Sequence, residues 1–119
     1  FAGSPWTVAA YMVEGRGSKD FFHAKRMAYE NPALFEKLID VIVEATADYL
    51  DQQVNAGAEA LQIFDSWAGL LDAAEFKRWV MEPTKKLVKM IHVKHPHVKI
   101  IGFPRGSGLH YETYAKETG

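Results

Sequence analysis

Two short runs of strand-forming residues, at 59–64 and 98–103, each end a long stretch of helical spacing, and this alternation limits the fold more than any other feature. Before the first run, Phe35, Leu38, Ile39, Ile42, Tyr49, Leu50 and Val54 recur at steps of three and four residues. That is the apolar stripe of one long amphipathic helix. Before the second, Phe76, Trp79, Val80, Leu87, Val88, Met90 and Ile91 repeat the pattern. Strands separated by helices predict parallel strands joined by helical crossovers, an α/β fold. With the strand tail at residue 1 and a last helix over 109–118, about two and a half βα units are expected. A closed barrel needs about eight, so the chain reads as a barrel fragment.

The punctuation agrees with this order. Ser4-Pro5 suits an N-cap followed by the first helical position, and Asn31-Pro32 repeats the signal. Gly15-Arg16-Gly17-Ser18 breaks the first helix, and Ser18 is placed to cap a second that runs to about residue 30. Gly57 ends the long helix. Asp72 with Glu75 forms a capping-box signal, and Pro83 starts or kinks the next helix. The opening at Phe1-Ala2-Gly3 and the stop at Glu117-Thr118-Gly119 both look cut. The expectation is one partial domain over residues 1–119, an internal piece of a longer protein.

Composition excludes several classes. A net charge of -1 gives no bulk attraction to nucleic acid or anionic membrane. No apolar run approaches the roughly 18 residues of a membrane span. The chain has no cysteine, which removes disulfides and thiolate metal sites and fits a cytoplasmic protein. Five histidines raise the question of a metal, but His95-Pro96-His97 reads as a solvated loop without a carboxylate at ligand spacing. Lys85, Lys86 and Lys89 form a solvated basic face. The glycine-rich stretches at 15–17 and 106–108 lack nucleotide-loop spacing.

Candidate chemistry collects where strands end. In parallel α/β proteins the sheet fixes those ends while the loops vary, and ligands are met there. The run at 59–64 stops at Asp65-Ser66. Ser66 by itself fits a turn or helix cap. Tyr11 by itself fits the core face of its helix. Asp65 either meets a ligand or orients Ser66 and nearby amides. Arg105, after the second strand, either pairs with a ligand carboxylate or closes a salt bridge at the mouth. Trp67 reads as packing.

Three motifs then carry a resemblance: Phe1-Ala2-Gly3-Ser4-Pro5-Trp6-Thr7, Tyr11-Met12-Val13-Glu14-Gly15 with Gly17-Ser18, and Gln62-Ile63-Phe64-Asp65-Ser66-Trp67-Ala68-Gly69. In this order and spacing they resemble the uroporphyrinogen decarboxylase family, over all of the chain and about the middle third of the family's length. The resemblance implies a TIM (β/α)8 barrel, typically a homodimer, in porphyrin and heme biosynthesis. It implies removal of CO2 from the four acetate side chains of uroporphyrinogen III, giving coproporphyrinogen III, with no metal or organic cofactor. Tyr11 and Ser66 match positions that the family uses to contact substrate, and Phe1 and Phe64 match positions that line its cleft. Asp65 and Arg105 are further candidates for that lining.

The family's arginine pair and key aspartate fall before Phe1, and its active-site histidine falls after Gly119, so no catalytic residue is assigned within the chain. Arg16 departs from the pattern, standing where the family commonly has glycine. A zinc-dependent corrinoid methyltransferase of the same fold is the alternative. It is disfavoured because Phe103-Pro104-Arg105 supplies no thiolate or histidine where that site would stand. A third expectation is that the fragment alone is inactive and self-associates through unpaired strand edges.

Overall fold

A computed structural model describes all residues, Phe1–Gly119. Three strands, β1 (Ala2–Gly3), β2 (Ala60–Asp65) and β3 (Lys99–Pro104), form one sheet in the order β1-β2-β3. Both pairings are parallel: Ala2 lies beside Ile63, and Ile63 beside Gly102. Between β1 and β2 come α1 (Pro5–Glu14), α2 (Phe22–Glu30) and α3 (Pro32–Asn55). Between β2 and β3 come α4 (Ala73–Phe76) and α5 (Glu82–Lys94), and α6 (Tyr111–Thr118) follows β3. This is the expected α/β alternation, with a third βα unit begun.

Local chemistry sets the element ends. The Ser4 hydroxyl accepts from the Thr7 amide at 3.1 Å, and Pro5 occupies the first turn of α1. Such a cap is worth about 1 kcal/mol. Gly15 ends α1 in the left-handed region at φ 75°, where side chains are disfavoured. The second helix starts later than the Ser18 signal suggests. Ser18 instead accepts from the Phe21 amide within a turn, and the Glu14 carboxylate caps the Ala24 amide at 3.0 Å. Asn31 precedes α3 without a side-chain cap. The capping box at Asp72 is half formed: Asp72 accepts from the Glu75 amide, while the Glu75 carboxylate accepts from the Trp79 indole.

Pro83 lies in the first turn of α5, as expected, but the helical backbone runs into it from α4 without a break. α4 and α5 are joined by a π-turn, Lys77–Met81, in which the Glu82 amide donates to the Lys77 carbonyl, five residues back. A proline ring clashes with the carbonyl four residues before it and offers no N–H, and the wider turn relieves both problems. It also buries three consecutive residues, Trp79, Val80 and Met81.

The helices cover one face of the sheet. Leu61, Ile63 and Asp65 of β2 point into that layer and are buried. The core centres on Trp6, Phe35 and Trp79, whose rings meet edge to face with centroids 5.8 and 4.8 Å apart. Pairs of this geometry add about 0.5–1.5 kcal/mol beyond the area they bury. The stripe on α3 faces this core through Phe35, Ile39, Ile42 and Leu50, but Tyr49 is exposed. The His95 loop is less solvated than its sequence suggests: His95 Nε2 lies 2.6 Å from Asp51 Oδ1, with both side chains largely covered. That contact and the neighbouring Lys94 hold the Asp51 carboxyl below its usual range.

Candidate active site

Parallel pairing brings the three strand ends together. The Ser4 amide donates to the Phe64 carbonyl at 2.8 Å, and the Arg105 amide donates to the Asp65 carbonyl at 3.1 Å. The Gly69 amide then donates to the Arg105 carbonyl at 3.1 Å, tying the loop after β2 to the loop after β3. A Cβ on Gly69 would lie 2.5 Å from the Gly106 carbonyl oxygen, so the two loops meet backbone to backbone.

Successive strand residues point to opposite faces. Phe64 therefore leaves the sheet on the side away from the helices, and its register partner Phe103 leaves with it. Their rings lie 6.3 Å apart, and the Phe1 ring meets Phe64 edge to face at 5.8 Å. Phe1 is 70% exposed, and Phe103 and Ile101 are also open. An apolar aromatic wall results, facing where the inside of a barrel would be. Phe103 escaped the sequence reading, although its strand-end position and the two-residue period both point to it.

Asp65 goes the other way. Expected among the candidates to line the cleft, it is instead 0% exposed beneath the sheet. One residue of offset from Phe64 is the whole reason. Its Oδ1 accepts from the Thr7 hydroxyl at 2.7 Å, and Thr7 Oγ1 accepts in turn from the Trp67 amide at 3.3 Å. Burial pushes the Asp65 carboxyl up to about 6, against the opposing pull of the Thr7 and Ser4 hydroxyls. Its Oδ2 has no partner, nor do the buried hydroxyls of Thr84 and Tyr114. Burial, followed by the Asp65 charge, pushes Tyr114 up to about 12.

Tyr11 and the Asp65-Ser66-Trp67 corner share the rim. The Trp67 indole N–H donates to the Tyr11 hydroxyl oxygen at 2.7 Å. Phe21, fully buried, lies against both, with centroids 5.5 Å from Tyr11 and 4.7 Å from Trp67. Phe21 is the chain's single non-glycine residue at positive φ, 50°. A left-handed backbone costs a residue of this kind about 1–2 kcal/mol, which the burial of its ring offsets. Ser66, directly before Trp67, is half-buried. Arg105 is exposed beside this corner and takes part in none of the ion pairs.

Sequence reasoning placed Trp67 with the packing and passed over Thr7. Both lie in the network that supports Tyr11. A cleft of about 280 Å3 between β3, α5 and α6, lined by Thr84, His92, Gly102 and Tyr114, opens on the helix-covered side and is separate from the rim.

The family model described as uroporphyrinogen decarboxylase matches residues 1–119. Curated proteins named uroporphyrinogen decarboxylase are similar along the full chain. The protein of Rhizorhabdus wittichii is 56% identical over 119 residues, that of Rhodospirillum rubrum 54%, and that of Novosphingobium aromaticivorans 52%. The match takes in 100% of this chain and 34–35% of each relative, so the chain spans about a third of their length. With the motifs, the parallel βα order and a match over every residue in agreement, the chain belongs to the uroporphyrinogen decarboxylase family.

Proposed function

We propose that this segment forms one wall of the substrate cleft of an enzyme that removes CO2 from the acetate side chains of uroporphyrinogen III. The observation that carries the reading is the placement of Tyr11 and Ser66 at one rim, beside the open wall of Phe1, Phe64 and Phe103. A tetrapyrrole is a flat apolar body edged with carboxylates. The aromatic wall suits the body, and rim hydroxyls with the exposed Arg105 suit the edge.

The chemistry makes a definite demand. When CO2 leaves a pyrrole acetate, the bonding pair must be accepted, and a ring protonated beforehand accepts it. The exocyclic carbon then takes a proton and becomes a methyl group, and the ring gives back the proton it had gained, so that one proton replaces one CO2. The Tyr11 hydroxyl can donate a hydrogen bond to a carboxylate, and Ser66 can donate or accept by rotation. In this reading both residues bind and orient, and the proton transfers belong to groups outside this segment.

In a full-length enzyme carrying the segment, Tyr11→Phe should lower kcat/KM about tenfold and Ser66→Ala several-fold, as expected for lost hydrogen bonds to a charged group. Unchanged turnover in both variants would overturn the assignment. The isolated chain should release no CO2 from uroporphyrinogen. Its open apolar wall and free sheet edges support pairing of the isolated chain with a second copy.

A further inference from the structure

We propose that Trp67 is a positioning residue that fixes the Tyr11 hydroxyl as a hydrogen-bond donor toward the cleft. This rests on the reading of Tyr11 as a substrate contact. An indole N–H can only donate, whereas a phenol can donate or accept. At 2.7 Å from Trp67 Nε1, the Tyr11 oxygen must therefore be the acceptor. Its own proton cannot point at Trp67 and is left for another partner, and Tyr11 is 40% exposed at the rim. An ionised carboxylate accepts and never donates, so a hydroxyl committed to donating favours it over groups that themselves need an acceptor.

Trp67 is held firmly enough to impose this direction. Its amide donates to Thr7 Oγ1 at 3.3 Å, and its carbonyl accepts from the Trp6 indole at 3.1 Å. Thr7 has a single hydroxyl proton, which goes to Asp65 Oδ1 at 2.7 Å, leaving the Thr7 oxygen to accept from Trp67. Phe21 backs the indole ring, and Trp6, Thr7, Phe21 and Asp65 are all buried. Asp65 thus reaches the cleft through Thr7 and Trp67 while standing on the opposite face of the sheet.

The test is a double-mutant cycle in a full-length uroporphyrinogen decarboxylase carrying this segment. The variants are Tyr11→Phe, Trp67→Phe and the pair, with kcat/KM measured on uroporphyrinogen and, because an ester cannot lose CO2, with inhibition of that turnover measured for uroporphyrin as the free acid and as its octamethyl ester. Trp67→Phe keeps a ring against Phe21 but removes the N–H. Replacing Trp67 with 3-benzothienylalanine keeps the bicyclic shape as well, and serves if the phenylalanine variant folds poorly.

Loss of the oriented bond should lower kcat/KM about 3- to 10-fold and narrow the preference for the acid over the ester. In the Tyr11→Phe background the same change should have no further effect. Additive losses, or an unchanged acid-to-ester preference, would overturn the positioning role, since damage through packing alone gives both. A Trp67 variant at full rate beside an impaired Tyr11→Phe would overturn the inference and leave Tyr11 as a substrate contact. Full activity in Tyr11→Phe would remove both.

Discussion

Ile63 and Phe64 are neighbours in β2 and meet opposite surroundings. Ile63 is fully buried under the helices, in a core that includes Trp6, Leu61 and Trp79. Phe64 touches Phe1 and Phe103 on the open side. The covered face holds the segment together, and in the proposed reading the open face is what the segment presents to a ligand. The same division separates Asp65, locked under the sheet, from the Tyr11–Trp67 pair on the rim. The lesson is that a strand-end carboxylate and a strand-end hydroxyl can be adjacent in sequence and still meet different surroundings.

The largest expected effect tests this division directly. Ile63→Ala should destabilise by about 2–5 kcal/mol, the cost of a buried cavity, while Phe64→Ala should cost stability far less and weaken substrate binding. Urea unfolding and KM measured on both variants separate the two faces. Equal stability losses would break the comparison.

Asp65 comes next. Its carboxyl at about 6 holds a proton more tightly folded than unfolded, where the ordinary value is 3.8. Its contribution is therefore fully present below pH 3.8 and is lost as pH rises through about 6. The gap corresponds to roughly 3 kcal/mol. Asp65→Asn keeps an acceptor for Thr7 and adds no charge, so it should raise the unfolding midpoint at pH 7.5 and leave it nearly unchanged at pH 4. A midpoint that falls equally at both pH values would mean that the charged form is stabilised by a partner beyond Thr7.

Gly69→Ala should cost about 1–3 kcal/mol through overpacking, because the added methyl meets the Gly106 carbonyl where the two rim loops touch. Lower turnover with a lower unfolding midpoint would show that rim order and rim function are coupled. The smallest effect belongs outside both faces. Lys86→Ala breaks an exposed ion pair with Asp40 at 3.4 Å and should change stability by less than about 1 kcal/mol.

Much of this architecture is readable from residue order, because helix and strand periods are local. The α3 stripe, the two longer strands and the Ser4-Pro5 and Gly15 boundaries all follow from neighbours a few residues apart. What stays hidden depends on distant partners. Thr7 and Asp65 are 58 residues apart and Tyr11 and Trp67 are 56 apart, so no window of sequence shows either bond. Facing is hidden in the same way. The alternation within β2 says that Phe64 and Asp65 diverge, but only the position of the helical layer says which one is covered. Phe21 at positive φ is invisible for a further reason, since a local propensity argues against the conformation that tertiary packing imposes.

The π-turn at Lys77–Met81 also bears on how the family can change. Elsewhere in a helix, dropping one residue swings every later side chain by about 100° around the axis. The wide turn already holds one residue more than a regular coil would, so shortening there returns the rod to ordinary pitch. Phe76 before it and Leu87 after it would keep their seats. Length variation among relatives is therefore tolerable at this joint, where the scaffold carries slack.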